Sequence, residues 1–374
     1  MTLWHVSPLN EGRGGGVETC LLAEARLLAA AGVQVTINAR TYSGQPVGYR
    51  VRQSPFPLWL DGLVPVDKLV AMAFYAGVAA GSLRADVLDA HNAPFVAAMD
   101  PARTLVTVQT LPVLPGYAWL WRRYRRARYA CCSEHMRTEF LKAYPRLVPE
   151  RVDILNPGVD PDVFTPRPEP RGDRPLRLLY AGQWANVKGI DVLMAALDRL
   201  EATAPDLPVY EVWLAGSARL WRGHSIEQEA PAIERQVMGW VQRHPNVRVI
   251  GAVPHDQMPE LYRSVDALVL PSKSETFGMV LIEAMASQVP VVAFAVGGIP
   301  EVVIDGETGL LVRERSAETL AGALASMLRH PERLETMGAA GRKHVLARFS
   351  WQAHMVRLWE LYRRVNPRIG PSPF

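Results

Sequence analysis

Residues 264–301, SVDALVLPSKSETFGMVLIEAMASQVPVVAFAVGGIPE, constrain the fold more than any other stretch of this chain. Two apolar runs rich in β-branched residues, Ala267–Leu270 and Val289–Val296, flank a segment of helical character from about Phe277 to Ser287. Runs apolar on both faces suit a parallel sheet covered on both sides, and two such strands around one helix make a βαβ unit. The helix has no polar face, since Met279, Val280, Leu281, Ile282, Ala284, Met285 and Ala286 surround a single carboxylate, Glu283. A helix apolar all round is buried, and a carboxylate buried with it requires a partner.

Eight residues before Glu283, Glu275 stands where the strand gives way to the helix, followed by Thr276, Phe277 and Gly278. Backbone N–H groups at a helix N-terminus favour an anion, and open α/β sheets bind ligands at the carboxyl ends of their strands. A phosphate therefore suits this loop. Glu283, about two turns along, could accept from a sugar's hydroxyl pair, and Glu275 from a second polyol. The plainer alternative has Glu275 complementing the helix dipole and Glu283 paired with a core arginine.

At 374 residues the chain exceeds what one compact core usually serves, so two domains are expected. The longest uncharged apolar stretch, Leu69–Leu83, is too short to span a bilayer, and the N-terminus lacks a basic start before an apolar run. Cys20, Cys131 and Cys132 make neither a disulfide framework nor a zinc spacing, which reads as a cytoplasmic protein. No D-x-D motif is placed at a strand end, so no metal is expected. The net charge of +4 matters less than its distribution, because five arginines crowd into Arg122–Arg128 around Tyr124, after Trp119 and Trp121. Three readings compete there: a solvated basic helix, an anionic membrane surface, or nucleic acid, the last without any recognised module.

Along the chain, Leu3–Ser7, a helix Glu18–Ala31 and Val33–Ile37 form a first βαβ-like unit. The intervening GRGGGVE does not fit G-x-G-x-x-G, but Gly15 and Gly16 would let a ligand approach the backbone closely; a plain flexible turn is the other reading. Strands are expected at 86–92, ending near His91, at 104–110, including Gln109, and at 128–133. His91 is read as facing the ligand side, either as a functional group or as a structural hydrogen-bonder. Near Asn156 the prolines of NPGVDPDVFTPRPEPRGDRP mark an interdomain linker. A second domain then opens with the strand Leu176–Ala181, the loop GQWANVKG and a helix from Ile190 to about Glu201. Lys188, one of only five lysines against 36 arginines, stands in that loop, where a cation could neutralise a diphosphate. The domains are therefore placed at 1–160 and 176–350, with a linker at 161–175.

The residues PSKSETFGMVLIEAMA, followed by VPVVAFAVGGIPEVV, resemble the donor-site signature of the retaining glycosyltransferases of family 4, the group 1 glycosyl transferases. The resemblance extends through most of the second half of the chain. It implies the GT-B fold, two Rossmann-like α/β domains facing a cleft, with the last helix, 351–374, crossing back onto the first domain. It implies donor contacts at Gly15, Gly16, Gln183, Lys188, Glu275, Thr276, Phe277, Gly278, Met279 and Glu283, with Glu275 and Lys188 as the leading catalytic positions and His91 and Gln109 as lesser ones. The expected donor is a nucleotide-diphosphate sugar, UDP- or GDP-linked before others, with no separate cofactor. Its acceptor would be a glycan, a lipid-linked sugar or a small molecule.

Two positions depart from the family's pattern. A histidine commonly ends the strand that here carries Gln109, and an arginine commonly stands where this chain has Gln183. Glutamine cannot act as an acid or base, and the loss of a fixed cation would weaken diphosphate stabilisation by ~1–3 kcal/mol. These departures keep open a non-catalytic sugar-nucleotide sensor or scaffold. A phosphorylase on the same architecture would need a cofactor lysine near the C-terminus, where only Lys343 lies past Lys273.

Overall fold

Among the described residues, short aliphatic strands alternating with helices fold into two large parallel sheets, as runs apolar on both faces require, and Pro8–Leu9 pairs with Thr41–Tyr42 in a small third one. The structure is a computed structural model describing residues 2–5, 8–9, 15–39, 41–42, 45–53, 85–92, 96–97, 100–111, 122–219 and 224–374. It contains two units, residues 1–157 with 352–374, and residues 158–351.

The sheet of the first unit has seven strands: β1 (Thr2–His5), β2 (Thr36–Ala39), β3 (Arg50–Gln53), β4 (Leu88–His91), β5 (Thr104–Val108), β6 (Arg128–Cys131) and β7 (Val152–Ile154). Their order is β3-β2-β1-β4-β5-β6-β7. A helix, Gly16–Ala30, follows β1 and buries Leu21, Leu22, Ala25 and Leu28. The C-terminal helix Trp351–Val365 places Met355, Leu358, Leu361 and Tyr362 in that same core, so residues 352–374 complete the first unit. The strand Arg50–Gln53 leaves no apolar alternation in the sequence, because three of its four residues are polar.

The second unit has six strands: β8 (Leu176–Ala181), β9 (Tyr210–Ala215), β10 (Val247–Gly251), β11 (Ala267–Leu270), β12 (Val291–Phe294) and β13 (Gly309–Val312). Their order is β10-β9-β8-β11-β12-β13, all parallel. Strands β8 and β11 pair in register, Leu178 with Ala267 and Leu179 with Leu268. From this pair the strand order runs outward in opposite directions, and the crevice at the carboxyl ends of such a switch point is the usual ligand position of these sheets. The helix Met279–Ala286 connects β11 to β12 and is buried from Leu281 to Ala286.

The proline-rich segment read as an interdomain linker is packed into the second unit. Arg342 donates to the carbonyls of Phe164, at 2.8 Å, of Pro161 and of Ala286. Arg167 and Arg174 both clasp the buried carboxylate of Asp266, at 2.8 and 2.7 Å. These backbone and ion-pair anchors explain why residues 158–175 belong to the second unit. No helix among the described residues is long and apolar enough to cross a membrane.

Candidate functional site

Two loops meet at the crevice between β8 and β11. The loop after β8 carries Gln183 and Lys188; the loop after β11 carries Glu275, Thr276, Phe277 and Gly278. They are joined by a backbone hydrogen bond from the Lys273 amide to the Val187 carbonyl, 2.8 Å, and by the Lys273–Asp191 ion pair, 2.6 Å. Gly189 lies at φ +72°, and a β-carbon there would strike the Pro271 carbonyl, so only glycine lets the loops approach this closely. The β11 loop is also held from below by the turn after β12. Gly297, at φ +56°, packs its α-carbon against the Glu275 carbonyl, which accepts from the Gly298 amide at 3.1 Å.

This scaffold brings Lys188 and Glu275, far apart in sequence, into one ion pair, Nζ to Oε2 at 2.7 Å. Lys188 keeps 32% of its side-chain exposure and Glu275 13%, so the cation remains reachable from solvent while the carboxylate is mostly covered. The helix beginning at Met279 follows at once, with Gly278 as its N-cap at φ +94°. Its first amides have no partner within the helix, and the helix dipole adds to the field of Lys188. Phe277 is buried and packs edge-on against Phe349, ring centroids 5.6 Å apart, while Met279 is only half-buried. An anion held here would meet one flexible ammonium and a row of backbone donors, with a carboxylate beside them.

Gln183 does not supply a second cation, and its side chain is engaged elsewhere, Nε2 donating to the Ala218 carbonyl at 3.3 Å. Among the sequence-derived positions, Lys188, Glu275 and residues 276–279 are brought together around the crevice, with Gln183 on the loop after β8.

Glu283 lies farther along the helix and is 4% exposed. The partners that the structure gives it are a tyrosine and a histidine rather than the core arginine of the plainer alternative. Oε2 accepts from the Tyr262 hydroxyl at 3.0 Å, and Oε1 faces His255 Nε2 at 3.0 Å. The hydrogen bond that His255 donates to Glu283 outweighs the effect of burial and raises the His255 pKa. Burial, reinforced by the Glu283 charge, pushes the Tyr262 hydroxyl pKa far up. Neither residue is evident from sequence, because both pair with Glu283 across loops more than twenty residues away.

In the first unit, Gly15 caps the helix Gly16–Ala30 with extended backbone, and Gly12 and Gly14 lie outside the described residues. Gln109 follows β5 and is 8% exposed; its amide and that of Thr110 donate to Asn92 Oδ1, at 2.9 and 3.3 Å.

His91 ends β4, as read from sequence, but its side chain is wholly buried rather than turned toward a ligand. Nε2 lies 3.2 Å from Glu24 Oε2 and 3.7 Å from Asp89 Oδ1. Glu24 Oε1 meets His354 Nε2 at 3.1 Å, and Asp89 accepts from the hydroxyls of Tyr362, 2.7 Å, and Thr107, 3.0 Å. Burial alone would raise the Glu24 pKa, but the charge of His91 and hydrogen bonds from His354 and His91 hold it at about 2. Burial alone would lower that of His91, yet Glu24 and Asp89 raise it to about 9. Glu24, Asp89 and His91 have ligand atoms within 4.8 Å of one another, the spacing a metal would need. Asp89 and Glu24 Oε1 already have partners outside the trio, whereas both His91 nitrogens and Glu24 Oε2 make no well-formed hydrogen bond and are held by charge; the buried network ties the first and last helices to β4. His91 is thus tied by charge to Glu24 and Asp89 rather than turned to a ligand.

Of the arginine cluster, Arg122, Arg123, Arg125 and Arg126 are exposed and Tyr124 is buried. Arg128 leaves the patch for an ion pair with Asp153, 2.8 Å. Trp119 and Trp121 lie outside the described residues.

Residues 164–344 match the family described as Glycosyl transferases group 1, and residues 14–163 the family described as Glycosyltransferase Family 4. A D-inositol 3-phosphate glycosyltransferase of Stackebrandtia nassauensis is 30% identical over all of this chain and 94% of its own length. Another, of Segniliparus rotundus, is 34% identical over 60% of this chain, and an alpha-maltose-1-phosphate synthase of Mycolicibacterium smegmatis is 34% identical over 63%. The chain spans only 49% and 62% of the length of these two relatives. Among solved structures, sucrose-phosphate synthase of Thermosynechococcus elongatus has a TM-score of 0.77 at 23% identity, covering 98% of this chain and 100% of its own. The Anabaena protein HepE, solved with UDP and glucose, has a TM-score of 0.72 at 18% identity, covering 96% and 98%. At these identities the structural likeness establishes the fold.

Proposed function

The chain belongs to glycosyltransferase family 4, within the glycosyl transferases group 1, with the GT-B fold, and on that premise we propose that it transfers a sugar from a nucleotide-diphosphate sugar to a hydroxyl acceptor with retention of anomeric configuration. The observation that carries this reading is the meeting of Lys188, Glu275 and a helix N-terminus where the strand order reverses. The bond between the sugar's anomeric carbon and the diphosphate oxygen breaks, and a bond to the acceptor oxygen forms on the same face. The acceptor's proton passes to the leaving phosphate oxygen, and a nucleoside diphosphate departs. Such a step calls for stabilisation of the departing diphosphate by fixed dipoles and charge. Lys188 and the amides of Phe277, Gly278 and Met279 serve that purpose. Glu275 orients the donor sugar and holds Lys188 in place, while Glu283 accepts from the ribose hydroxyls. No metal is assigned a part.

UDP- and GDP-sugars come first as donors, and the acceptor is a glycan, a lipid-linked sugar or a small molecule. Exposed Arg122, Arg123 and Arg126 border a hollow of about 690 Å3 with Asp100, Pro101 and Ala102, which suits peripheral contact with an anionic membrane face.

Incubation with UDP-, GDP- and ADP-sugars tests the proposal. Release of nucleoside diphosphate, by slow hydrolysis or by transfer giving a product of unchanged anomeric configuration, is expected. A second reading, a sugar-nucleotide sensor or scaffold, is favoured by Gln183, which is neutral and bonded to Ala218. Tight nucleotide binding with no turnover over hours would establish that reading instead.

A further inference from the structure

We propose that His255 is a positioning residue for ribose recognition: it fixes the carboxylate of Glu283 so that one free lone pair on each oxygen meets one hydroxyl of a nucleotide's cis-diol. The inference rests on Glu283 being the ribose acceptor and adds the group that aims it.

A carboxylate has about four acceptor positions on its two oxygens. The protein fills one on each, His255 on Oε1 and Tyr262 on Oε2, both at 3.0 Å. That leaves a matched pair of acceptors, one per oxygen, for two neighbouring donors. A vicinal diol presents two hydroxyls at close to the spacing of two carboxylate oxygens; a single alcohol or an amide does not use both.

The two partners differ in their setting. Tyr262 is fully buried and is part of the core, whereas 42% of the His255 side chain is exposed. His255 stands in the turn after β10, in the short helix His255–Gln257, at the same carboxyl end of the sheet as Lys188 and Glu275. Its ring is held by packing as well as by its hydrogen bond. The Phe164 ring lies 5.7 Å from His255 and 6.0 Å from Tyr262, centroid to centroid, and so touches both residues that hold the carboxylate. Removing the His255 donor while keeping the ring frees Oε1 to rotate or to take up water, without opening a cavity under Phe164.

The test uses the full chain and uridine, guanosine and adenosine diphosphates, each beside its 2′,3′-dideoxy form, by isothermal titration. In His255→Phe, affinity for the ribonucleotide that binds should fall roughly 10-fold, the worth of one hydrogen bond to a charged group. Affinity for its dideoxy form should stay within about twofold, and kcat at saturating donor should hardly change while KM rises. His255→Gln, whose side-chain amide can place a donor near the imidazole Nε2 position, should restore most of the loss. Equal losses for the ribo and dideoxy forms, or no loss for either, would overturn the proposal. Glu283→Gln separates this from the reading beneath it. If that variant loses ribonucleotide affinity and His255→Phe does not, only the positioning role falls. If Glu283→Gln binds both forms like wild type, ribose recognition by Glu283 falls too.

Discussion

Glu24→Gln removes one charge from the sealed network of the first unit and keeps the side chain's shape. Glu24 is completely buried, and its two oxygens face His91 and His354. Its pKa is held at about 2 against an ordinary 4.5, a differential of ~3 kcal/mol. Breaking a buried ion pair by removing one partner costs a similar ~3–5 kcal/mol, because the remaining charge is left uncompensated. The elevation of His91 to about 9 reflects the same interaction seen from its other side, so the two are not added. For a unit of this size the loss corresponds to roughly 6–12 °C in Tm. The gap between wild type and variant should depend on pH on both flanks. Glu24's folded pKa is depressed, so its contribution is fully present above about 4.5 and lost as pH falls toward about 2. His91's is raised, so its contribution is fully present below about 6.5 and lost as pH rises through about 9. Urea unfolding from pH 3 to pH 9 measures the gap, and amide hydrogen exchange on Gly16–Ala30 and Trp351–Val365 assigns it to this unit. A gap as large at pH 3 as at pH 6 would show that packing, rather than charge, makes the contribution.

Three further outcomes are expected. Gly297→Ala forces a β-carbon toward the Glu275 carbonyl at a positive φ, so it should destabilise the second unit by ~1–3 kcal/mol in thermal unfolding and weaken donor binding; wild-type values for both would contradict the buttressing role. Glu275→Gln releases Lys188 from its 2.7 Å partner, so nucleoside diphosphate affinity should hold or rise while donor turnover falls at least 10-fold; a fall in affinity with unchanged turnover would reverse the assignment. Vesicles containing anionic lipid should bind the chain at low salt and release it at high salt if Arg122, Arg123, Arg125 and Arg126 meet a membrane, and absence of binding at low salt removes that partner.

What the sequence carries, and what it leaves out, divides by range. Ala267–Leu270, Val291–Phe294 and the helix between them are legible because burial on every side leaves one unbroken apolar signal. The carboxyl-end position of Lys188 and Glu275 follows from the same local order, and the β10-β9-β8-β11-β12-β13 arrangement then sets them face to face. Val152–Ile154 is too short to show alternation. The partners of Glu283 are invisible for another reason, since a tyrosine and a histidine 21 and 28 residues away leave no local pattern. The Glu24–His354 contact spans 330 residues, and this is why His91 looks free in sequence and is sealed in the fold. The anchoring of the proline-rich segment is invisible for the same reason: proline content describes the chain's stiffness, while Arg342 and Asp266, which hold it, come much later in the chain.

On the proposed reading, a diphosphate in the crevice between β8 and β11 is held through Lys188. Isothermal titration of the nucleoside diphosphate that binds and of its bare nucleoside, into wild type and Lys188→Ala, tests it most directly. A loss of roughly 10-fold or more is expected for the diphosphate and none for the nucleoside. Equal losses for both, or an unchanged diphosphate affinity, would contradict it.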